Sequence, residues 1–382
     1  MTARAGRISG FTACDVKVLQ VGKFYPPHYG GIETVLHTLC RGLSRHISLR
    51  VLVANDAAET TTDVIEGVTV TRVARWGTLA ATPICPSFPQ ALARWEADIY
   101  HLHEPNPLAT ISYLLVKPKG RLVVTFHSDV VRQKILGAAY RLAVHQLLER
   151  ADRIIVATPH HLACCPVLRS MHRKCVVIPF GVDISKFHRE ADTERRVERL
   201  RARFGDRIVL FVGRLVYYKG VEVLIRAMTQ VAGHLLIVGE GPWEKKLRRL
   251  ARRLSLENKV SFQGEVSSDM LVAYYHACDV FVLPSTHRSE MFGLVQLEAM
   301  ACGKPVVSTA LPTGVSWVNQ HNVTGLLVPP GDAVALARAI THLLDDPDRR
   351  NRLGEAAQRR VAEEFTADQM IERTLDLYRR LL

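Results

Sequence analysis

The sequence predicts an α/β protein of two domains, each a mostly parallel sheet with helices on both faces. Three observations carry that expectation. A chain of 382 residues exceeds the size at which a single hydrophobic core usually stops growing. Short β-rich apolar runs alternate with amphipathic stretches along most of its length, which is the pattern of βαβ units. The alternation pauses at a very polar stretch, His188 to Arg203, before a fresh strand begins at Ile208.

In order, strands are expected at Val16 to Val21, Leu49 to Val53, Val68 to Val73, Ile99 to Leu102, Leu122 to Phe126, Arg153 to Ala157 and Val176 to Ile178. Glu33 to Leu43 and Lys134 to Leu148 read as amphipathic helices between them. Pro179-Phe180-Gly181-Val182-Asp183 closes this half. The domain boundary is therefore placed at the polar stretch, giving domains of 1–187 and 188–366. The second half repeats the alternation with strands at Ile208 to Val212, Leu235 to Val238, Val260 to Gln263, Val280 to Leu283, Pro305 to Ser308 and Gly325 to Val328, and turns helical from Asp332 onward.

Composition narrows the partners. A formal charge of +13 points to anionic ones: nucleic acid, lipid headgroups or diphosphate-bearing small molecules. Aromatic residues are only 7%, and no binding module or basic run interleaved with aromatics is present, which argues against nucleic acid. The eight cysteines lie in unlike contexts, with no CxxC pair at metal-site spacing, and read as free buried thiols. Neither the first fifteen residues nor any later stretch holds an apolar run of signal-peptide or membrane-span length, so a cytoplasmic protein is expected.

In open α/β sheets ligands sit where loops leave the carboxyl ends of strands. The residues there are informative. Gly30 and Gly31 precede the first helix, where backbone N–H groups can approach a ligand. Gly213 and Arg214 follow Val212, with Lys219-Gly220 five residues on; Gly239-Glu240-Gly241-Pro242 follows Val238; Glu290-Met291-Phe292-Gly293-Leu294-Val295 and Glu298 follow Pro284-Ser285. Arg214 and Lys219 are two fixed cations on one loop, suited to a diphosphate whose charge grows as a glycosidic bond to it breaks; surface salt bridges are the alternative. Phe292-Gly293 reads as the entry to a helix reaching about Ala301. Glu290 and Glu298 would then stand on the order of 12 Å apart, the span from a sugar across two phosphates to a ribose. The amides of Gly293, Leu294 and Val295 would face the phosphates between them. His127, after the strand ending at Phe126, is a candidate facing the same cleft, with a core or capping role as the alternative. His101 and His103 flank Leu102 at strand spacing and rank below it.

These motifs together, above all SEMFGLVQLEAMACGKPVVST (Ser289 to Thr309) and GLLVPPGD (Gly325 to Asp332), resemble retaining glycosyltransferases of family 4 over nearly the whole chain. The resemblance implies a GT-B fold: two facing Rossmann-like domains, with the last helix (367–382) crossing back onto the first. It implies that Arg214 and Lys219 bind the donor diphosphate, Glu290 the transferred sugar and Glu298 the ribose. Gly31 would close on the phosphates, His127 would lie near the sugar, and the nucleobase would bind around Phe262 to Val266. No catalytic metal or other cofactor is implied. Met291 departs from the smaller residue often found there, which leaves the identity of the sugar open. TFHSDVVRQK (Thr125 to Lys134) and LPTGVSWVNQHNVTGLLVPP (Leu311 to Pro330) resemble bacterial enzymes that add mannose or D-rhamnose from GDP-activated donors in O-antigen-type assembly. The implied partners are a nucleotide-sugar donor and a glycan or lipid-linked acceptor. The stretch Trp243 to Leu254 puts six Lys and Arg on one helix face, either a solvated face or an attraction to an anionic membrane surface at the inner side of the cytoplasmic membrane.

Rival classes are a sugar-nucleotide epimerase or phosphorylase of the same architecture, a transferase using a UDP-sugar, and an NAD-dependent oxidoreductase. The last wants Gly-x-Gly-x-x-Gly after its first strand, and Gly239-Glu240-Gly241 lacks the third glycine.

Overall fold

Lys17–Val21 becomes a central strand of the first sheet because both its faces are buried, all but its first residue being covered and its one polar buried residue, Gln20, being hydrogen-bonded. It pairs in parallel with Ser48–Ala54 on one side and Ile99–Glu104 on the other. Outward from these lie Val68–Val73 and, opposite, Arg121–Phe126 followed by Arg153–Val156, all parallel. An antiparallel strand, Thr61–Ile65, closes one edge. The computed structural model describes residues 16–28, 30–79, 82–128 and 136–382.

The second sheet has six strands in the order Val260–Gly264, His234–Val238, Ile208–Val212, Val280–Leu283, Val306–Thr309, Gly325–Val328, all parallel. Its core is built from Phe211, Leu224, Ile237, Val282 and Ile340, each fully buried. In both sheets the chain steps outward from the first strand, returns beside it and continues the other way. That is the doubly wound order, and it opens a crevice between the first strand and the strand on its other side.

Contacts divide the chain into Met1–Phe126 with Gln133–Ile155 and Arg373–Leu382, and His127–Arg132 with Val156–Glu372. This differs from the boundary expected at 187/188. The segment Phe180 to Val182 is stitched to the second unit: Val182 N–H donates to the Phe365 carbonyl, and Ala367 N–H to the Val182 carbonyl, both at 2.9 Å. The polar stretch is itself a helix, Ala191–Phe204, whose narrow apolar stripe buries Val197 and Leu200. Arg201 on that helix bonds Asp279 at 3.0 Å, and the other Asp279 oxygen accepts from the Ile208 N–H at 2.8 Å. Three short strands went unforeseen, the edge strand Thr61–Ile65 and the two of a small hairpin, Gly77–Leu79 with Thr82–Ile84.

The C-terminal helix, Ala367–Arg379, ends among first-unit residues. The Tyr378 hydroxyl accepts from Gln20 Nε2 at 2.8 Å and lies 2.6 Å from His101 Nδ1.

Candidate active site

In the second unit the crevice lies between the loop after Val212 and the loop after Leu283, and backbone chemistry locks those loops together. The Thr286 N–H donates to the Tyr218 carbonyl at 2.8 Å. Gly220 adopts φ +68°, and a Cβ there would fall on the Pro284 carbonyl oxygen, so only glycine lets the two loops approach this closely. Alongside, Gly213 N–H donates to Val238 at 3.0 Å and Gly239 N–H to Gly264 at 2.7 Å, bringing the neighbouring strand ends into line.

This register delivers Lys219 to Glu290. The ammonium lies 2.7 Å from Glu290 Oε2, with both side chains nearly buried, and Ser285 Oγ donates to the same oxygen at 2.9 Å. The other Glu290 oxygen has no protein partner among the described residues. Burial works against the Lys219 ammonium, but the Glu290 carboxylate overrides it and holds the lysine pKa above its ordinary value. Arg214 is exposed, and its guanidinium has no ion-pair or hydrogen-bond partner among the described residues. The loop thus presents one fixed, neutralised cation and one free one.

Gly293, at φ +72°, is the N-cap of the helix Leu294–Ala301 and supplies no capping side chain. The Leu294 and Val295 amides therefore lack intrahelical acceptors, as first-turn amides do. Gln296 braces the turn by donating from Nε2 to the Phe292 carbonyl at 2.6 Å. One turn on, Glu298 accepts from the Tyr275 hydroxyl at 2.5 Å; burial raises its carboxyl above the usual range, against that hydrogen bond and the pull of Lys186. His127 is buried and stacks on Phe180 at 4.8 Å between ring centroids, and Phe180 meets Phe292 edge-on at 5.2 Å. Two aromatic contacts thus connect it to the residue before Gly293.

Other expected residues stand apart. Phe262 packs against the core and carries Arg248 over its ring at 4.4 Å, so that face is occupied; Val266 follows in the loop before Ser268–Ala277. Gly30 and Gly31 open the helix Gly31–Leu43 in the first unit, exposed and without a side-chain cap. His101 and His103 are core residues, stacked at 4.6 Å and bonded to Thr125 and Gln20. Asp129 to Lys134 lie outside the described residues, as does Cys14. Five of the seven described cysteines are buried. No cluster of three or more His, Cys, Asp or Glu able to hold a metal occurs among the described residues, and no described helix is long and apolar enough to cross a membrane.

Three residues carry contacts that the sequence did not assign. Ser285, two residues past the strand Val280–Leu283, was marked by position but given no role. Tyr275, which holds Glu298, comes from another helix and left no local signal. Glu104 ends the strand Ile99–Glu104 fully buried, accepting from Thr110 Oγ1 at 2.6 Å, from the Asn106 N–H at 3.0 Å and from the Tyr140 hydroxyl. Burial pushes its pKa up to about 7.

A doubly wound sheet with a lysine, a free arginine and uncapped amides around its crevice defines an α/β protein suited to an anionic, phosphate-bearing ligand. The chain belongs to glycosyltransferase family 4 and is a hexosyltransferase of the GT-B fold. Residues 29–186 match the profile "Glycosyltransferase Family 4" and residues 192–360 match "Glycosyl transferases group 1". It is 36% identical to O-antigen chain mannosyltransferase C of Escherichia coli, over 96% of this chain and 99% of that protein. It is 35% identical to the D-rhamnosyltransferase WbpZ of Pseudomonas aeruginosa, over 88% and 89%. Among solved structures it is similar to sucrose-phosphate synthase of Thermosynechococcus elongatus (TM-score 0.79, 26% identity, 96% and 99% covered). Anabaena HepE in complex with UDP has the same fold (TM-score 0.78, 22% identity, 96% and 100% covered).

Proposed function

We propose that this enzyme transfers mannose, or a closely related hexose, from a GDP-activated donor to a glycan or lipid-linked acceptor in O-antigen-type polysaccharide assembly. The relatives that act on mannose and D-rhamnose support the sugar. A single observation carries the site assignment: the buried Lys219–Glu290 pair at the sheet crevice, with one Glu290 oxygen left open.

On this reading the donor diphosphate takes its charge compensation from Arg214 and Lys219, with the Leu294 and Val295 amides on the same phosphates. Glu290 accepts a hydrogen bond from a hydroxyl of the transferred sugar through its open oxygen, Glu298 binds the ribose, and His127 lies beside the sugar. As the bond from the anomeric carbon to the phosphate oxygen breaks, the two cations stabilise the leaving diphosphate. The acceptor oxygen bonds the same face of the anomeric carbon, and its proton passes to the leaving phosphate. No metal is required. The base binds near Val266 rather than on the covered ring of Phe262. The acceptor side works against an anionic membrane surface.

The test is turnover with GDP-mannose against UDP-glucose and UDP-N-acetylglucosamine. Preference for GDP-mannose supports the donor; equal or better turnover with a UDP-sugar overturns it.

A further inference from the structure

Five of the large apolar side chains that remain exposed among the described residues lie on two packed elements of the first unit, while the others are scattered. Trp76, Leu79 and Ile84 are 76%, 61% and 44% exposed on the small hairpin Gly77–Leu79 with Thr82–Ile84. Its register pairs Gly77 with Ile84 and Leu79 with Thr82. Leu79 and Ile84 therefore share the outer face, and the buried Pro83 lies on the opposite one. The hairpin packs on the helix Pro107–Val116, which exposes Ile111 and Leu115, four residues apart and so on one face.

Charge on these segments is one-sided. Arg75 to Arg94 and Pro105 to Ser128 contain no Asp or Glu in a chain that has 37. Arg94, Lys117 and Lys119 are exposed there and have no ion-pair partner among the described residues. The basic helix Glu244–Arg253 is a poorer docking face than its sequence suggests. Lys246 is paired with Glu222, Arg248 with Glu244, and no large apolar side chain on it is exposed.

We infer that the hairpin and the outer face of helix Pro107–Val116 form the surface that docks this enzyme on an anionic lipid bilayer. The inference rests on the membrane partner proposed above and names its contact surface. Indole settles at headgroup depth, Leu and Ile reach the acyl boundary, and the flanking cations meet lipid phosphates. Five exposed apolar side chains are far fewer than the roughly 20–30 residues a side of a stable protein interface, whereas insertion into lipid has no such threshold.

The experiment is co-sedimentation of the full chain with phosphatidylcholine vesicles, with and without phosphatidylserine, at physiological salt. The wild type is expected to bind the anionic vesicles. Trp76→Ser/Leu79→Ser is expected to lower partitioning at least about tenfold, Lys117→Glu/Lys119→Glu to lower it as well, and Arg252→Glu/Arg253→Glu to leave it unchanged. Because the hairpin side chains are exposed, melting temperature and turnover of a soluble acceptor stay at wild-type values, which separates lost docking from misfolding. Binding by the hairpin variant equal to wild type overturns the hairpin while leaving the membrane reading intact. No wild-type binding to any vesicle overturns both. A wild-type dimer dispersed by the hairpin substitutions assigns the patch to a second copy of the chain and overturns the lipid assignment.

Discussion

Lys219 and Glu290 neutralise one another in the unliganded protein, and that dual use makes their substitutions diagnostic. Glu290→Gln strands a nearly buried ammonium, and removing one partner of such a pair costs about 3–5 kcal/mol. Lys219→Met strands the carboxylate in the same way. The double variant Lys219→Met/Glu290→Gln is expected to recover much of that stability in thermal melts while turnover stays at least about a hundredfold down. A double variant as unstable as the sum of the singles would show that the two residues are not coupled. Glu104 makes a pH prediction. Its folded pKa is raised to about 7, above the unfolded carboxyl value, so its protonated form is favoured by folding. The stability it contributes is complete at low pH and is lost as pH rises through about 7. Glu104→Gln is therefore expected to flatten the fall in melting temperature between about pH 5 and 7, with an unchanged slope counting against it.

At the scale of elements, two glycines hold the site loops. Gly220→Ala places a methyl group on the Pro284 carbonyl, and Gly293→Ala places one 2.6 Å from Leu283 Cδ2 with φ +72°. Each is expected to lower stability by roughly 1–3 kcal/mol and to raise the KM for the donor, measured by melting and by steady-state kinetics. Wild-type KM in a destabilised Gly293→Ala would mean that this turn does not shape the donor site. These loops were legible in the sequence because they follow strands such as Ile208–Val212 and Val280–Leu283, whose unbroken apolar runs announce burial on both faces. Elements without that signal were not. Thr61–Ile65 is an edge strand with an exposed interior, so no face of it is written in apolar residues. Ala191–Phe204 read only as a polar stretch marking a domain boundary because Val197 and Leu200 are its only buried side chains. The covered face of Phe262 depends on Arg248 in a neighbouring helix, a tertiary fact with no local trace, whereas the helix entry read at Phe292-Gly293 is found, with Gly293 as the N-cap of Leu294–Ala301, Glu298 on that helix and Glu290 in the loop before it.

Across the whole molecule, the two sheets repeat one winding order, and each places its informative loops at the carboxyl end. The second unit gathers the cations, uncapped amides and carboxylates; the first carries the buried Glu104 network and the exposed hairpin. Metal independence is expected of the entire enzyme, so a chelator should leave turnover unchanged, and restoration of a lost rate by added Mg²⁺ would count against the scheme. The central claim is that the second unit holds a nucleotide-sugar donor on Lys219, Arg214 and Glu290. Its most direct test is a thermal-shift and turnover panel of nucleotide sugars, with no metal added, on the wild type and on Glu290→Ala. The account predicts that GDP-mannose stabilises the wild type and is turned over, and that turnover is lost in the variant. Failure of every nucleotide sugar to stabilise the wild type would contradict it.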